Sequence, residues 1–186
     1  VGGDRSRGEG GGTLPQRAQQ GVRGTDGEGG RETEERMKGA VDEFQKQFGK
    51  DIIASATLDV TKEETIEKTF EAMVLAFGGV DIIVNNAGIS ISKSITEHTI
   101  EEWNMLYDIL VKGQFLVSKK GIEIMRKQGF GGDIINIVSK NAVVAGPNNP
   151  GYGSAKAAQA HLTRLMAAEV GADKIRVNTV NPDAVI

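Results

Sequence analysis

Tyr152 and Lys156, four residues apart, are the pair in this chain best suited to moving a proton. On a helix, side chains at positions i and i+4 share one face about a turn apart. An ammonium close to a phenol favours the phenolate. At ~4 Å and an effective dielectric of ~20 the attraction is ~4 kcal/mol, or roughly three pKa units. That would bring a phenol from ~10 towards ~7, where it can pass a proton near neutral pH. Ser139, which closes an apolar stretch ahead of Tyr152, offers a hydroxyl to the same chemistry. Asn85-Asn86-Ala87-Gly88 closes another such stretch, and small residues there let a ligand approach the backbone. Each feature is common alone: a Tyr/Lys helix pair can be plain surface, and Asn and Gly end many strands.

The surrounding pattern alternates between helical and strand periods, the arrangement that builds a doubly wound parallel α/β sheet. A polar helix is predicted from Glu32 to about Phe48, stopped by Gly49, with a strand following at Asp51–Ala56. Thr61 and Glu64 read as a capping box for a helix carrying Ile66, Phe70, Met73, Val74 and Phe77, which Gly78-Gly79 ends. Val80–Val84 is apolar enough to be a strand covered on both faces. Thr99 and Glu102 form a second capping box, before a helix with Trp103, Leu106, Tyr107, Leu110 and Val117 that runs to about Lys127. Asp133–Val138 is the next strand, 152–171 an alanine-rich helix and Ile175–Val180 the last strand. In open parallel sheets ligands bind beyond the carboxyl ends of strands, where Asn85–Gly88, Ser139 and Asn181-Pro182 fall.

In order and spacing, Asn85-Asn86-Ala87-Gly88, Ser139 and Tyr152-x-x-x-Lys156 resemble the motifs of the short-chain dehydrogenase/reductase family. Asp59-Val60 and Arg176-Val177-Asn178 leading to Pro182 fit as well, and the resemblance covers residues 32 to 186. It implies a Rossmann-like oxidoreductase that moves a hydride between NAD or NADP and a small alcohol or carbonyl. By the same resemblance Tyr152 would protonate the carbonyl oxygen and Ser139 would hydrogen-bond it. Lys156 would hold the nicotinamide ribose and acidify the tyrosine. Asp59, Asn85, Ala87 and Gly88 would border the adenosine half, with Pro182 also on the cofactor. A narrower likeness, carried by Ser139-Lys140-Asn141-Ala142, Pro147–Tyr152 and Asn181-Pro182-Asp183-Ala184-Val185, is to the dehydrogenase domain of bifunctional rhamnulose-1-phosphate aldolase/alcohol dehydrogenases. It would imply lactaldehyde or a similar aldehyde as substrate and a place in rhamnose metabolism. Homo-oligomers are expected by resemblance, through the helices carrying Leu110 and Leu162.

Two departures stand out. Leu110 occupies the place where most of the family has an Asn that completes a proton relay through the lysine, and leucine neither donates nor accepts. Asn104 lies about 120° around a regular helix and cannot take over, so either a water or another group completes the relay or turnover is slow. The glycine-rich turn that receives a cofactor pyrophosphate should fall near residues 5–15, but no apolar strand precedes it and Pro15 interrupts the helix. A reading-frame shift over residues 1–30 would leave the right length with the wrong content, and the chain then reads as a domain incomplete at both ends, expected to turn over poorly by itself. The alternatives left open are a noncatalytic scaffold or regulatory relative, which Leu110 favours, and a nucleotide-sugar epimerase, which Asn85–Gly88 disfavours.

Composition narrows the remaining classes. Eleven of the 25 glycines lie in residues 1–30, where Val1, Leu14, Ala18 and Val22 are the apolar residues, so disorder is expected there. Arg5, Arg7, Arg17 and Arg23 are offset by Asp4, Glu9, Asp26 and Glu28, and the net charge is -3, which leaves no footprint for nucleic acid. The absence of cysteine excludes thiolate metal sites and disulfides and suggests a cytoplasmic setting. His98 and His161, far apart, make a poor metal site. No apolar run approaches the ~18 residues that cross a bilayer, and no secretory block opens the chain.

Overall fold

The computed structural model describes residues 28–49 and 52–183. Elements run α1 (Glu28–Phe48), α2 (Glu63–Phe77), β1 (Ile82–Asn85), α3 (Ile100–Tyr107), α4 (Gly113–Gln128), β2 (Gly132–Ile137), α5 (Pro150–Val170) and β3 (Ile175–Val180). The three strands form one parallel sheet in the order β1-β2-β3. Parallel neighbours need long crossovers. Here α3 and α4 join β1 to β2, and α5 joins β2 to β3.

The register aligns Ile83, Ile134 and Val177 across the sheet. All three are buried, and α2, α4 and α5 close over them with Ile66, Phe70, Leu116, Val117, Ile122, Met125, Met166 and Val170. Gly121 permits this approach of α4: a Cβ there would stand 1.9 Å from Ile83 Cδ1. Two residues further along the strands the same face turns polar. Asn85 Nδ2 donates to Ser118 Oγ of α4 and to Asn136 Oδ1, and Asn136 Nδ2 donates to Thr163 Oγ1 of α5. These bonds satisfy the side-chain amides and pin both helices to the carboxyl ends of the strands, where open parallel sheets generally bind ligands.

Several expected elements differ in detail. The helix predicted from Glu32 begins at Glu28, so Glu28–Gly30 are helical instead of disordered; the disorder and frame-shift expectations for residues 1–27 lie outside the described residues. No strand forms over residues 52–56. A strand is defined by a neighbour's hydrogen bonds, and no other strand lies beside this segment among the described residues. The Thr61 cap is also absent: Lys62 is the N-cap of α2, and the Thr61 hydroxyl turns back to donate to Asp59 Oδ1 at 2.7 Å. β1 starts at Ile82 instead of Val80, and only one face is covered among the described residues, Ile82 being 61 % and Val84 56 % exposed.

The Thr99–Glu102 capping box is present, with both reciprocal bonds made. Thr99→Ala should cost about 1 kcal/mol by orphaning the Glu102 N–H. Thermal unfolding of the variant measures it, and the midpoint should fall by about 2–4 °C. The long helix expected after this cap is interrupted by a π-helical turn at Asp108–Lys112. Such a turn frees a carbonyl from the ordinary ladder. Gln159 Nε2 of α5 takes up Leu110 O at 2.7 Å.

Candidate active site

Beyond the strand carboxyl ends opens a cavity of about 840 Å³. Its walls include Asn86 and Gly88 after β1, Ile137, Val138 and Ser139 at the end of β2, Tyr152 and Lys156 on α5, and Pro182 after β3. Ser139, Tyr152 and Lys156 thus share one concave surface, although β2 and α5 supply them separately. Helix α5 begins with Pro150 in its first turn, which suits a residue without an N–H. Tyr152 therefore sits at the start of the helix and Lys156 one turn further in.

The Lys156 ammonium lies 5.5 Å from the centre of the Tyr152 ring and donates to Ile137 O at 3.0 Å. Burial disfavours its charge and lowers its pKa from 10.5 to about 8. Ser139 is buried with its backbone extended, and Oγ accepts from Asn141 N–H at 3.2 Å. That bond uses a lone pair and leaves the hydroxyl proton free to be donated into the cavity.

Gly88 has to be small. A Cβ there would meet Leu110 Cδ2 at 3.0 Å and Lys156 Nζ at 4.0 Å, closing the floor beside the lysine. The residues present fit a nicotinamide and its ribose: a bare backbone at Gly88, apolar side chains at Ile89 and Val138, and the Lys156 ammonium beside them. Ala87 is exposed at the same strand end. Asn85 gives both Nδ2 hydrogens to Ser118 and Asn136, which fixes its side chain at the strand end. Asp59 stands apart from the cavity lining, and the hydroxyl and N–H of Thr61 hold its carboxyl below the usual carboxylate range.

Leu110 is fully buried against Leu106 and Ala155, so it is not available on an outer helix face for subunit contact. Leu162 packs against the main core. At the polar relay position this chain has a hydrocarbon wall, and Lys156 uses the Ile137 carbonyl instead. Lys93, Glu102, Ser92 and Met105, which sequence reasoning had not assigned to the site, also line the cavity. Glu102 was legible as a cap, but nothing in the order of residues shows that the loop folds Lys93 against it. Among the described residues no three His, Asp or Glu side chains cluster as a metal site, and no helix is long and apolar enough to cross a membrane.

The sequence matches the family model for short chain dehydrogenases over residues 29–186. The chain belongs to the short-chain dehydrogenase/reductase family. It is 44% identical over 144 residues to the uncharacterized oxidoreductase YuxG of Bacillus subtilis, which covers 77% of this chain and 21% of that protein. It is 36% identical over 140 residues to an NADP-dependent (R)-specific alcohol dehydrogenase of Lentilactobacillus kefiri, covering 72% of this chain and 54% of that one. The structure of ElxO with NADP bound superposes with a TM-score of 0.74 at 31% identity, over 83% of this chain and 60% of that one. The fold is accordingly a Rossmann-like α/β domain with a parallel sheet, and the chain spans 21 to 60% of the length of these relatives.

Proposed function

We propose that the chain carries the proton-transfer half of an NAD(P)-dependent alcohol/carbonyl oxidoreductase, acting on a small alcohol or aldehyde. The observation that carries this reading is the convergence of Ser139, Tyr152 and Lys156 on one cavity at the strand carboxyl ends. A bound nicotinamide supplies or accepts the hydride. The Tyr152 hydroxyl donates to the substrate oxygen and delivers its proton as the carbonyl becomes an alcohol. In oxidation the phenolate takes that proton back. Ser139 donates a second hydrogen bond to the same oxygen and stabilises the charge that gathers there. Lys156, buried beside the Tyr152 ring and hydrogen-bonded to Ile137 O, has two further N–H groups with which it would hold the ribose hydroxyls of a bound cofactor.

The narrower relationship to the dehydrogenase domain of bifunctional aldolase/dehydrogenases, with lactaldehyde as substrate, is part of the proposal. It is supported by Asp183 after Pro182 and by the small share, 21%, of YuxG that this chain covers. Self-association is proposed through the outer faces of α4 and α5, where Phe115 is 46 % and Leu165 54 % exposed.

Oxidation of NADH or NADPH, followed by absorbance with a series of small aldehydes, tests the reaction. Ser139→Ala should lower kcat by about a hundredfold and leave KM within about twofold, the pattern of a bond made mainly in the transition state. An unchanged kcat would remove Ser139 from the mechanism.

A further inference from the structure

The wall of the cavity contributed by the loop after β1 and by α3 is not neutral hydrocarbon. Lys93 ion-pairs with Glu102 there, with side-chain exposures of 41 % and 23 %. Glu102 is itself fixed, because its second oxygen accepts from the Thr99 N–H at 3.1 Å in the capping box that starts α3. A carboxylate clamped at a helix N-terminus is a rigid anchor for the flexible lysine it holds. An ammonium has three N–H groups, and the pair with Glu102 occupies one, leaving two donors at the cavity wall. Ser92 stands beside it with its hydroxyl proton given to Asn148 O, so its oxygen lone pairs are free to accept. Ser90 adds another hydroxyl to the same wall.

Resting on the oxidoreductase reading for what sits at Tyr152, the geometry points to a specificity subsite in which Lys93, aimed by Glu102, hydrogen-bonds a hydroxyl on the substrate chain beyond the reacting carbon. The substrate class is a short hydroxylated aldehyde or ketone and its polyol product. The pair as a whole is neutral, so it favours an uncharged oxygen-rich group over an anion. A purely apolar chain would cover an ion pair with hydrocarbon and return no hydrogen bonds, the costly arrangement. A site built to bond a hydroxyl discriminates strongly against the analogue that lacks it. Glu102 is a positioning residue in this scheme, and Lys93 is the residue that touches substrate.

Binding decides the inference without any turnover. Erythritol and 1-butanol are titrated into the full chain, observed at the 13C-labelled methyl of Met105, which lines the same wall. Erythritol should bind about tenfold more tightly than 1-butanol, and Lys93→Met should bring the two within about twofold of each other. Glu102→Gln should weaken erythritol selectively while 1-butanol binding stays the same. Equal affinities in the unmodified chain, or a preference that survives Lys93→Met, overturn the inference. Reduction of butanal and erythrose by NADH or NADPH is measured in parallel. Reduction of either, even at a slow rate, supports the oxidoreductase reading and complete failure counts against it, while the erythritol preference still stands or falls by the titration.

Discussion

Tyr152→Phe should lower turnover about a thousandfold and leave NADH or NADPH affinity within about twofold, as expected for loss of a general acid and not of a binding group. The substitution removes one oxygen and keeps the ring, so the ring face 5.5 Å from Lys156 and the start of α5 stay filled. Ser139 donates a hydrogen bond but would have to leave an alkoxide, and Lys156 spends one N–H on Ile137 O, so neither replaces the phenol as the group placed to deliver the proton. A noncatalytic scaffold predicts a different outcome, with partner binding and every other measured property unaffected. Steady-state kinetics and cofactor titration on one pair of proteins separate the two readings.

Lys156→Met should lower kcat at pH 7 by about a hundredfold or more and at the same time raise the unfolding midpoint by about 3 °C. The gain in stability comes from burial. Lys156 keeps its charge in a site where desolvation pulls the pKa down to about 8, and among the described residues Ile137 O is its hydrogen-bond acceptor. Methionine fills the same volume without a charge to desolvate. The sign of the pH dependence follows from the direction of the shift. Between pH 8 and 10.5 the folded protein has released this proton while the unfolded chain still binds it, so the unfolded state holds more protons and stability rises with pH. Below pH 8 both states are protonated and the burial penalty is present in full. Denaturant unfolding from pH 7 to 11 should show this rise in the unmodified chain, and the Lys156→Met variant should lack that part of the slope. A variant less stable than its parent at pH 7 would show that the ammonium is net favourable where it lies.

Much of the sheet was readable in the order of residues because its strands are short apolar runs bounded by Gly, Asn and Pro, and its helices repeat their apolar residues at helical spacing. Ile175–Val180 matches residue for residue, and the Thr99–Glu102 cap is made as its spacing requires. What could not be read depends on neighbours distant in sequence. Residues 52–56 look like a strand by composition, yet strand structure needs a partner, and none lies beside them among the described residues. Thr61 has the right spacing for a cap, but Asp59 two residues before it offers its hydroxyl a charged acceptor, and the charged bond wins. Leu110 was legible as a departure from the relay and not as the centre of a π-helical turn, because the bond that satisfies its carbonyl comes from Gln159 on another helix. At the site, Ser139, Tyr152 and Lys156 were visible through motif spacing. Lys93 was not, since its place is set by where a loop without regular structure carries it.

Hydride exchange at this cavity is tested most directly by isotope. The chain is supplied with NADH or NADPH carrying deuterium on the transferable position of the nicotinamide C4, together with a small hydroxyaldehyde, and the alcohol formed is examined by mass spectrometry. The proposed reaction predicts one deuterium on the former carbonyl carbon of each product molecule, and almost no product from the Tyr152→Phe variant in the same time. Product lacking deuterium, or labelled product formed equally fast without the Tyr152 hydroxyl, would contradict proton delivery and hydride exchange at this site.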